Sequence, residues 1–302
     1  MKGKKILVAG SSNTDMVIKT HHFPAPGETI LGGRFLMNVG GKGANQAVAA
    51  ARLGGMVTFV GKIGDDIFGK QAIQQLKEEG INVDFVSVDP ENPSGVALIT
   101  VDRKGENSIV VASGSNGTLS PSDFDKAIAE LEDSEFVLMQ LEIPIPTVEY
   151  IARMAARKQK KVILNPAPAV VLSDELLQTL YLITPNETEA ELLTGIKVTD
   201  EQSALRAATQ LHEKGVEVVI ITMGAAGAFL LVNGMSEIIC APKVEAIDTT
   251  AAGDTFNGAL VVALSEGKTF QQSIAFANQA ASISVTRIGA QSSVPLRKEI
   301  KN

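Results

Sequence analysis

Short apolar runs alternate with amphipathic stretches along nearly the whole chain, and the two periods predict different elements. Apolar runs bounded by turn residues read as buried strands, expected at residues 5–9, 57–61, 136–140, 162–164, 181–184, 218–222 and 228–232. Helical patterns with start and stop signals lie between them. Residues 44–53 read as a helix ending at Gly54-Gly55. Ser120-Pro121 opens a helix over residues 122–131, with proline at a first helical position. Thr199 and Gln202 form a capping-box pattern ahead of residues 204–214, which stop at Gly215. This alternation predicts an α/β fold with a mostly parallel central sheet and helices on both faces.

Two segments break the pattern. Residues 14–38 read as short strands around the turn signal Pro24-Ala25-Pro26-Gly27, and residues 95–112 as a hairpin turning near Lys104-Gly105. Without helices of their own they do not fit a helix-covered parallel sheet. They predict a small second sheet serving as a lid or contact surface on a single domain spanning residues 1–302.

Bulk properties narrow the function. The chain has 302 residues, enough for a full core. Its net charge of −7 makes nucleic acid and anionic membranes poor partners. A polyanion such as ATP would have to be held by local groups. One cysteine, Cys240, rules out an internal disulfide framework and fits a reducing compartment. The N-terminal apolar run is too short for a signal peptide and no run reaches membrane-spanning length, so the expected location is the cytoplasm. His21, His22 and His212 have no metal-ligand spacing, which leaves a carboxylate as the expected general base.

In open parallel α/β sheets, ligands bind beyond the carboxyl ends of the strands. The polar residues expected there are Asn13, Asp15, Glu142, Asn165, Asn186, Glu189, Thr222 and Gly224. The sharpest segment is DTTAAGDTFNGALVVAL, in which a small-residue turn over 248–252 and Gly253 lead through Asp254 into a helix. Such a turn points backbone N–H groups outward at the positive end of the helix dipole, as a phosphate requires. A carboxylate there can take a proton from a hydroxyl. Spacing alone leaves that reading level with Asp254 as an ordinary N-cap, and Gly253, suited to close approach of a ligand, tilts it slightly toward chemistry.

The segment Gly40-Gly41-Lys42-Gly43-Ala44-Asn45-Gln46 looks like a phosphate loop and fails as one. A P-loop requires glycine where Leu36 stands and Ser or Thr at Gly43, and a dinucleotide fingerprint requires Gly or Ala at Gln46. A flexible turn before a helix is the plainer reading, and a loop offering backbone, Lys42 and Asn45 to a sugar is the chemical one. Asn186 and Glu189 form a capping box, with a water-mediated Mg²⁺ contact at Glu189 as the alternative. The loop Thr222-Met223-Gly224-Ala225-Ala226-Gly227 is either a hairpin turn or a floor under a nucleotide.

Together these motifs resemble the ribokinase family of carbohydrate kinases. The resemblance covers essentially the whole chain and rests on GGKGANQAVAAARLG, DTTAAGDTFNGAL, MQLE, LNPAPA, ITPNETEAE, LTG and VTRIGAQSSVP. It implies an α/β sandwich with a β lid often used as a dimer contact, hence a homodimer. It implies ATP-dependent phosphorylation of D-ribose at the 5-hydroxyl, with Asn13, Asp15, Gly41, Lys42, Asn45 and Glu142 holding the sugar and Asp254 as base. Ala251, Ala252, Gly253 and Asp254 match the anion hole. Asn186, Thr222, Gly224, Ala225, Gly227 and Asn278 match the nucleotide side, though position 278 is often histidine in such kinases. Mg²⁺ is implied near Asn186 and Glu189. A monovalent cation, usually K⁺, is implied at Asp248, Thr250, Ser284, Arg287, Gly289 and Ser293, several of them through backbone carbonyls. The competing readings are a kinase for another small sugar or a nucleoside, a dinucleotide-dependent oxidoreductase, which the failed glycine fingerprint disfavours, and a non-catalytic sugar-binding protein, which the intact Gly253 and Asp254 disfavour.

Overall fold

The apolar runs form the strands of a nine-stranded sheet, seen in a computed structural model that describes residues 4–31 and 33–300. Residue 32 of the expected lid range, and residues 1–3, 301 and 302, lie outside the described residues. The strands are β1 Lys5–Ala9, β2 Asn13–Lys19, β3 Arg34–Gly40, β4 Met56–Gly64, β5 Asn82–Asp89, β6 Gly95–Val101, β7 Asn107–Ala112, β8 Ser134–Met139, β9 Lys161–Leu164, β10 Leu182–Ile183, β11 Val218–Thr222, β12 Ala228–Val232 and β13 Met235–Ile239. The helices are α1 Lys42–Arg52, α2 Ile67–Glu78, α3 Pro121–Asp125, α4 Ile128–Asp133, α5 Ile145–Arg157, α6 Asp174–Leu177, α7 Glu187–Thr194, α8 Glu201–Glu213, α9 Ala252–Ser265 and α10 Phe270–Ser284.

The large sheet runs in the order β13-β12-β11-β10-β9-β8-β1-β4-β5. It is parallel from β5 to β11 and antiparallel at β12 and β13. Side chains of β1 alternate between two core layers, as a strand covered on both faces requires. Leu7 and Ala9 belong to the core layer that includes residues of α5 and α8, and Ile6 and Val8 to the layer that includes residues of α1, α9 and α10. The expectation of helices on both faces therefore holds. Among the described residues, no helix is long and apolar enough to cross a membrane.

The strand expectations missed β5 and β13, which form the two edges of the sheet. Edge strands face solvent, so Asn82, Asp84, Ser87, Ser236 and Glu237 interrupt the apolar run that marks an interior strand. The helix expected over residues 122–131 is two short helices, α3 and α4, broken at Lys126 and Ala127. Each is too short to persist by propensity alone and is held by buried Phe124, Ala127 and Leu131. The capping box expected from Thr199 and Gln202 is formed one residue later. Asp200 accepts from the Ser203 N–H, and Ser203 Oγ meets the Asp200 N–H. An aspartate side chain is a strong N-cap acceptor, and here it takes the place of the threonine hydroxyl.

The segments without helices form the second sheet, in the order β3-β2-β6-β7. β2 pairs antiparallel with β3 and parallel with β6, and β6 pairs antiparallel with β7.

One packing contact positions the site. α1 and α9 lie together on one face of the large sheet, and Gly258 lies at their contact. A Cβ at Gly258 would stand 2.5 Å from Ala49 Cβ and 2.7 Å from the Gln46 carbonyl oxygen. The missing side chain lets the two helices approach closely enough for their first turns to share a polar cluster.

Candidate active site

α9 begins at a strained turn. Ala251 occupies the N-cap position with φ of 57°, a left-handed conformation uncommon for a residue with a side chain. The Ala252 N–H bonds the Thr249 carbonyl at 3.2 Å. Helix geometry leaves the Gly253 and Asp254 N–H groups without acceptors inside the helix. A Cβ built on Gly253 meets nothing within 4 Å, so the space in front of this turn is open.

Asp254 is not the N-cap. It lies in the first turn of α9 and its carboxylate bonds across to α1. Asn45 Nδ2 donates to Oδ2 at 2.9 Å and Gln46 Nε2 donates to Oδ1 at 2.9 Å. Asp254 is 7% exposed, so it is sheltered yet still reachable from the open side.

α1 also starts at a turn only glycine tolerates. Gly41 has φ of 88°, and a Cβ there would lie 2.7 Å from the Asn13 nitrogen. The turn brings the Lys42 N–H to Glu142 Oε2 at 3.0 Å, and Ser11 Oγ donates to the same oxygen at 2.5 Å. On the small sheet, Gly40 leaves the space that Asp15 uses, since a Cβ there would be 2.1 Å from Asp15 Oδ2. Asn13 Oδ1 accepts from Asn116 Nδ2 at 2.7 Å.

These residues form one electrostatic cluster. Burial, reinforced by the Glu142 and Asp254 charges and opposed by Lys42, raises the Asp15 pKa to about 7. Burial pulls the Lys42 ammonium down, but Asp254, Glu142, Glu189 and Asp15 together outweigh it and the pKa is raised. Burial raises Glu189 above the usual carboxylate range, against the bond from the Asn186 N–H and the charge on Lys42. One cation thus stands among four carboxylates, a set of acceptors that suits a site gripping hydroxyl groups.

The residues expected on the nucleotide side separate into two kinds. Asn186 caps α7 in a reciprocal box with Glu189, and an isolated bridge joins Asn186 to Thr222. Gly224 has open space around it and Ala225 is exposed. Gly227 is a glycine for internal reasons, because a Cβ there would be 2.1 Å from the Ile239 carbonyl oxygen. Asn278 is buried and its Nδ2 is spent on the Ile239 carbonyl at 2.8 Å.

Of the residues expected at the cation site, Asp248, Thr250 and Gly289 meet where the 247–250 segment docks on the end of α10. Ile247 and Asp248 donate their N–H groups to the Val285 carbonyl. The Asp248 carboxylate accepts from the Thr250 and Gly289 N–H groups, each at 2.9 Å. Burial raises the Asp248 pKa, but these bonds outweigh it and the pKa is lowered. Ser284 Oγ and Ser293 Oγ donate to the Ala281 and Ala290 carbonyls, and Arg287 pairs with Glu299. The two serine hydroxyls donate their hydrogens and keep their lone pairs, whereas the Arg287 guanidinium has no acceptor to offer.

Reading the sequence missed Gln46, Gln140, Asn116, Ser11 and Gln291, and noted Asn165 only as a strand-end residue. All six bond to members of the cluster or to one another. Gln46 and Gln291 lie within the quoted motifs GGKGANQ and GAQSSVP, but no local spacing marks them for the site.

The chain is similar to known carbohydrate kinases over nearly its whole length. The model of the pfkB family carbohydrate kinases matches residues 3–297. A ribokinase of Haemophilus influenzae is 51% identical over 98% of this chain and 97% of its own. A ribokinase of Staphylococcus aureus is 41% identical over 98% of each chain. Among solved structures, an Arabidopsis thaliana ribokinase complexed with ribose and ATP superposes with a TM-score of 0.91 at 32% identity, covering 98% of this chain and 97% of the other. A Thermotoga maritima ribokinase superposes with a TM-score of 0.90 at 41% identity over the same shares.

Proposed function

Because the chain belongs to the pfkB family of carbohydrate kinases, we propose that it transfers the γ-phosphoryl group of ATP to the 5-hydroxyl of D-ribose, giving ribose 5-phosphate and ADP. The observation that carries this reading is the position of Asp254. Its carboxylate stands in the first turn of α9, beside the open space at Gly253 and within one cluster with Asp15, Lys42, Asn45 and Glu142.

Asn13, Asp15, Gly41, Lys42, Asn45 and Glu142 hold the sugar in this scheme. Asp254 accepts the proton of the 5-hydroxyl as its oxygen attacks the γ-phosphorus and the bond to the β-phosphate oxygen breaks. Asn45 and Gln46 take one lone pair on each carboxylate oxygen, and each oxygen keeps another for the hydroxyl. The N–H groups of Ala251, Gly253 and Asp254 stabilise charge on the moving phosphoryl group, and Ala252, whose own N–H is committed to the Thr249 carbonyl, shapes the turn that presents them. Asn186, Thr222, Gly224, Ala225 and Gly227 line the nucleotide. Asn278 reaches the adenine only by the part of its amide not committed to Ile239.

Mg²⁺ and K⁺ complete the scheme. Asn186 and Glu189 would hold Mg²⁺ through water, and the ion would supply neutralisation of phosphate charge there. Asp248 and the carbonyls of Thr250, Ser284, Arg287, Gly289 and Ser293 form a hard-oxygen set suited to K⁺. The docking of Asp248 on Thr250 and Gly289 supports that fit.

We also read residues 1–302 as one domain with the small sheet as its lid and dimer contact, working in the cytoplasm. Ile18, Phe35, Met37, Leu98 and Val110 are exposed, and the register puts them on one face of that sheet. An apolar face of this kind marks an interaction surface. The testing experiment is ADP production with a panel of sugars and nucleosides in the presence of Mg²⁺, with and without K⁺. Ribose is expected to be the preferred acceptor, and absence of ribose-dependent ADP release would overturn the substrate assignment.

A further inference from the structure

Beneath Asp254 lies a buried chain of amides that touches neither of the proposed substrates. Gln46 is fully buried, and its side chain uses both amide hydrogens and its oxygen. Its Nε2 donates to Asp254 Oδ1 and to Asn165 Oδ1, each at 2.9 Å, and its Oε1 accepts from Gln140 Nε2 at 2.6 Å. Gln140 follows β8, Asn165 follows β9, Gln46 is in the first turns of α1 and Asp254 in the first turn of α9. Four segments meet at one amide.

The polarity of this chain follows from the carboxylate. A carboxylate only accepts, so the edge of Gln46 facing Asp254 must be its NH₂. Its carbonyl then faces Gln140, which must offer an NH₂ of its own. Gln140 Oε1 is left buried with no hydrogen-bond partner among the described residues. Reversing Gln140 would set carbonyl against carbonyl and remove the donor that braces Gln46. The cluster leaves one oxygen unpaired and keeps three bonds oriented.

The torsion that orients an aspartate carboxylate is broad, since it joins a tetrahedral to a planar carbon. Asn45 alone would tether one oxygen and leave the plane free to swing. With Asn45 on Oδ2 and Gln46 on Oδ1, that plane has a single orientation. We propose that Gln46, itself oriented by Gln140, is a positioning residue that fixes the plane of the Asp254 carboxylate toward the acceptor hydroxyl. The inference rests on Asp254 being the base.

The test uses Gln46→Leu and Gln140→Met, which keep most of the volume and remove the donor. Gln46→Leu is expected to lower kcat by about 10- to 100-fold, the scale of a misplaced reacting group. KM for ribose and for ATP should stay within about threefold, because the substrate contacts remain. Gln140→Met should lower kcat less, and should lower it no further in the Gln46→Leu background, since it acts through Gln46. A crystal structure of each variant gives a readout independent of turnover, namely an Asp254 carboxylate rotated or split between orientations. Unchanged kcat in folded Gln46→Leu, or an unmoved carboxylate, overturns the proposal, and Gln140→Met decides it if Gln46→Leu does not fold. If the wild-type chain fails to turn over ribose, the substrate reading fails while the crystallographic comparison still decides this one.

Discussion

Asn45 Nδ2 donates to Asp254 Oδ2 at 2.9 Å, joining the first turns of two helices whose residues lie 209 positions apart. The bond links a residue proposed to hold the sugar to the carboxylate proposed to activate it. Substrate grip and base orientation are therefore coupled through one amide.

Asp254→Asn should lower kcat by roughly 10²–10⁴, the usual scale of general-base loss. The substituted amide presents an NH₂ toward Asn45 or Gln46, which themselves donate, so one buried donor loses its acceptor. A stability loss of about 1–3 kcal/mol is expected alongside. Steady-state ADP release and a denaturant titration measure the two effects separately, and near-normal turnover would remove Asp254 from the base role.

Gly258→Val should destabilise the fold by about 1–3 kcal/mol through overpacking. The new Cβ meets Ala49 Cβ and the Gln46 carbonyl, so α9 must shift away from α1. Because that contact also holds Asp254 against Asn45, kcat should fall together with Tm. An unchanged Tm would show that the two helices can separate without strain.

Asp15 predicts a pH dependence of stability. Its folded pKa, raised to about 7, lies above the ordinary aspartate value of 3.8. The folded state therefore binds the proton more tightly. This contribution is fully present below the unfolded value and is lost as pH rises toward about 7. Tm measured without ligand should fall over that window in the wild type and fall less in Asp15→Asn. Equal pH profiles for the two proteins would contradict it.

Asp248→Ala should weaken activation by K⁺, because the carboxylate orders the turn that leads into α9. Turnover measured across a K⁺ titration should lose most of its response. A variant that keeps the full wild-type response would exclude Asp248 from the cation site.

Phe35→Glu should disrupt the proposed dimer. Phe35 is 60% exposed and stands opposite Ile18 on the apolar face of the small sheet. Light scattering after size exclusion should report a monomer for the variant and a dimer for the wild type, and identical masses would reject that face as the contact.

The amino-acid sequence by itself determined the elements whose signal is local. Interior strands such as β1 and β11 are continuous apolar runs, because both their faces are covered. The Asn186 box and the small-residue turn before α9 show in adjacent residues, since capping and tight turns act over a few positions. Edge strands β5 and β13 were hidden because solvent accepts polar residues on them. What only the tertiary structure decided is that Asp254 does not cap its own helix. Its carboxylate could cap its own helix or bond elsewhere, and the choice depends on Asn45 and Gln46 arriving from α1. That arrival requires the close helix approach at Gly258, and it brings Gln140 and Asn165 into the same buried cluster. Hydrogen bonds between residues so distant in sequence leave no spacing to read, because they are fixed by how helices pack and not by where residues fall along the chain.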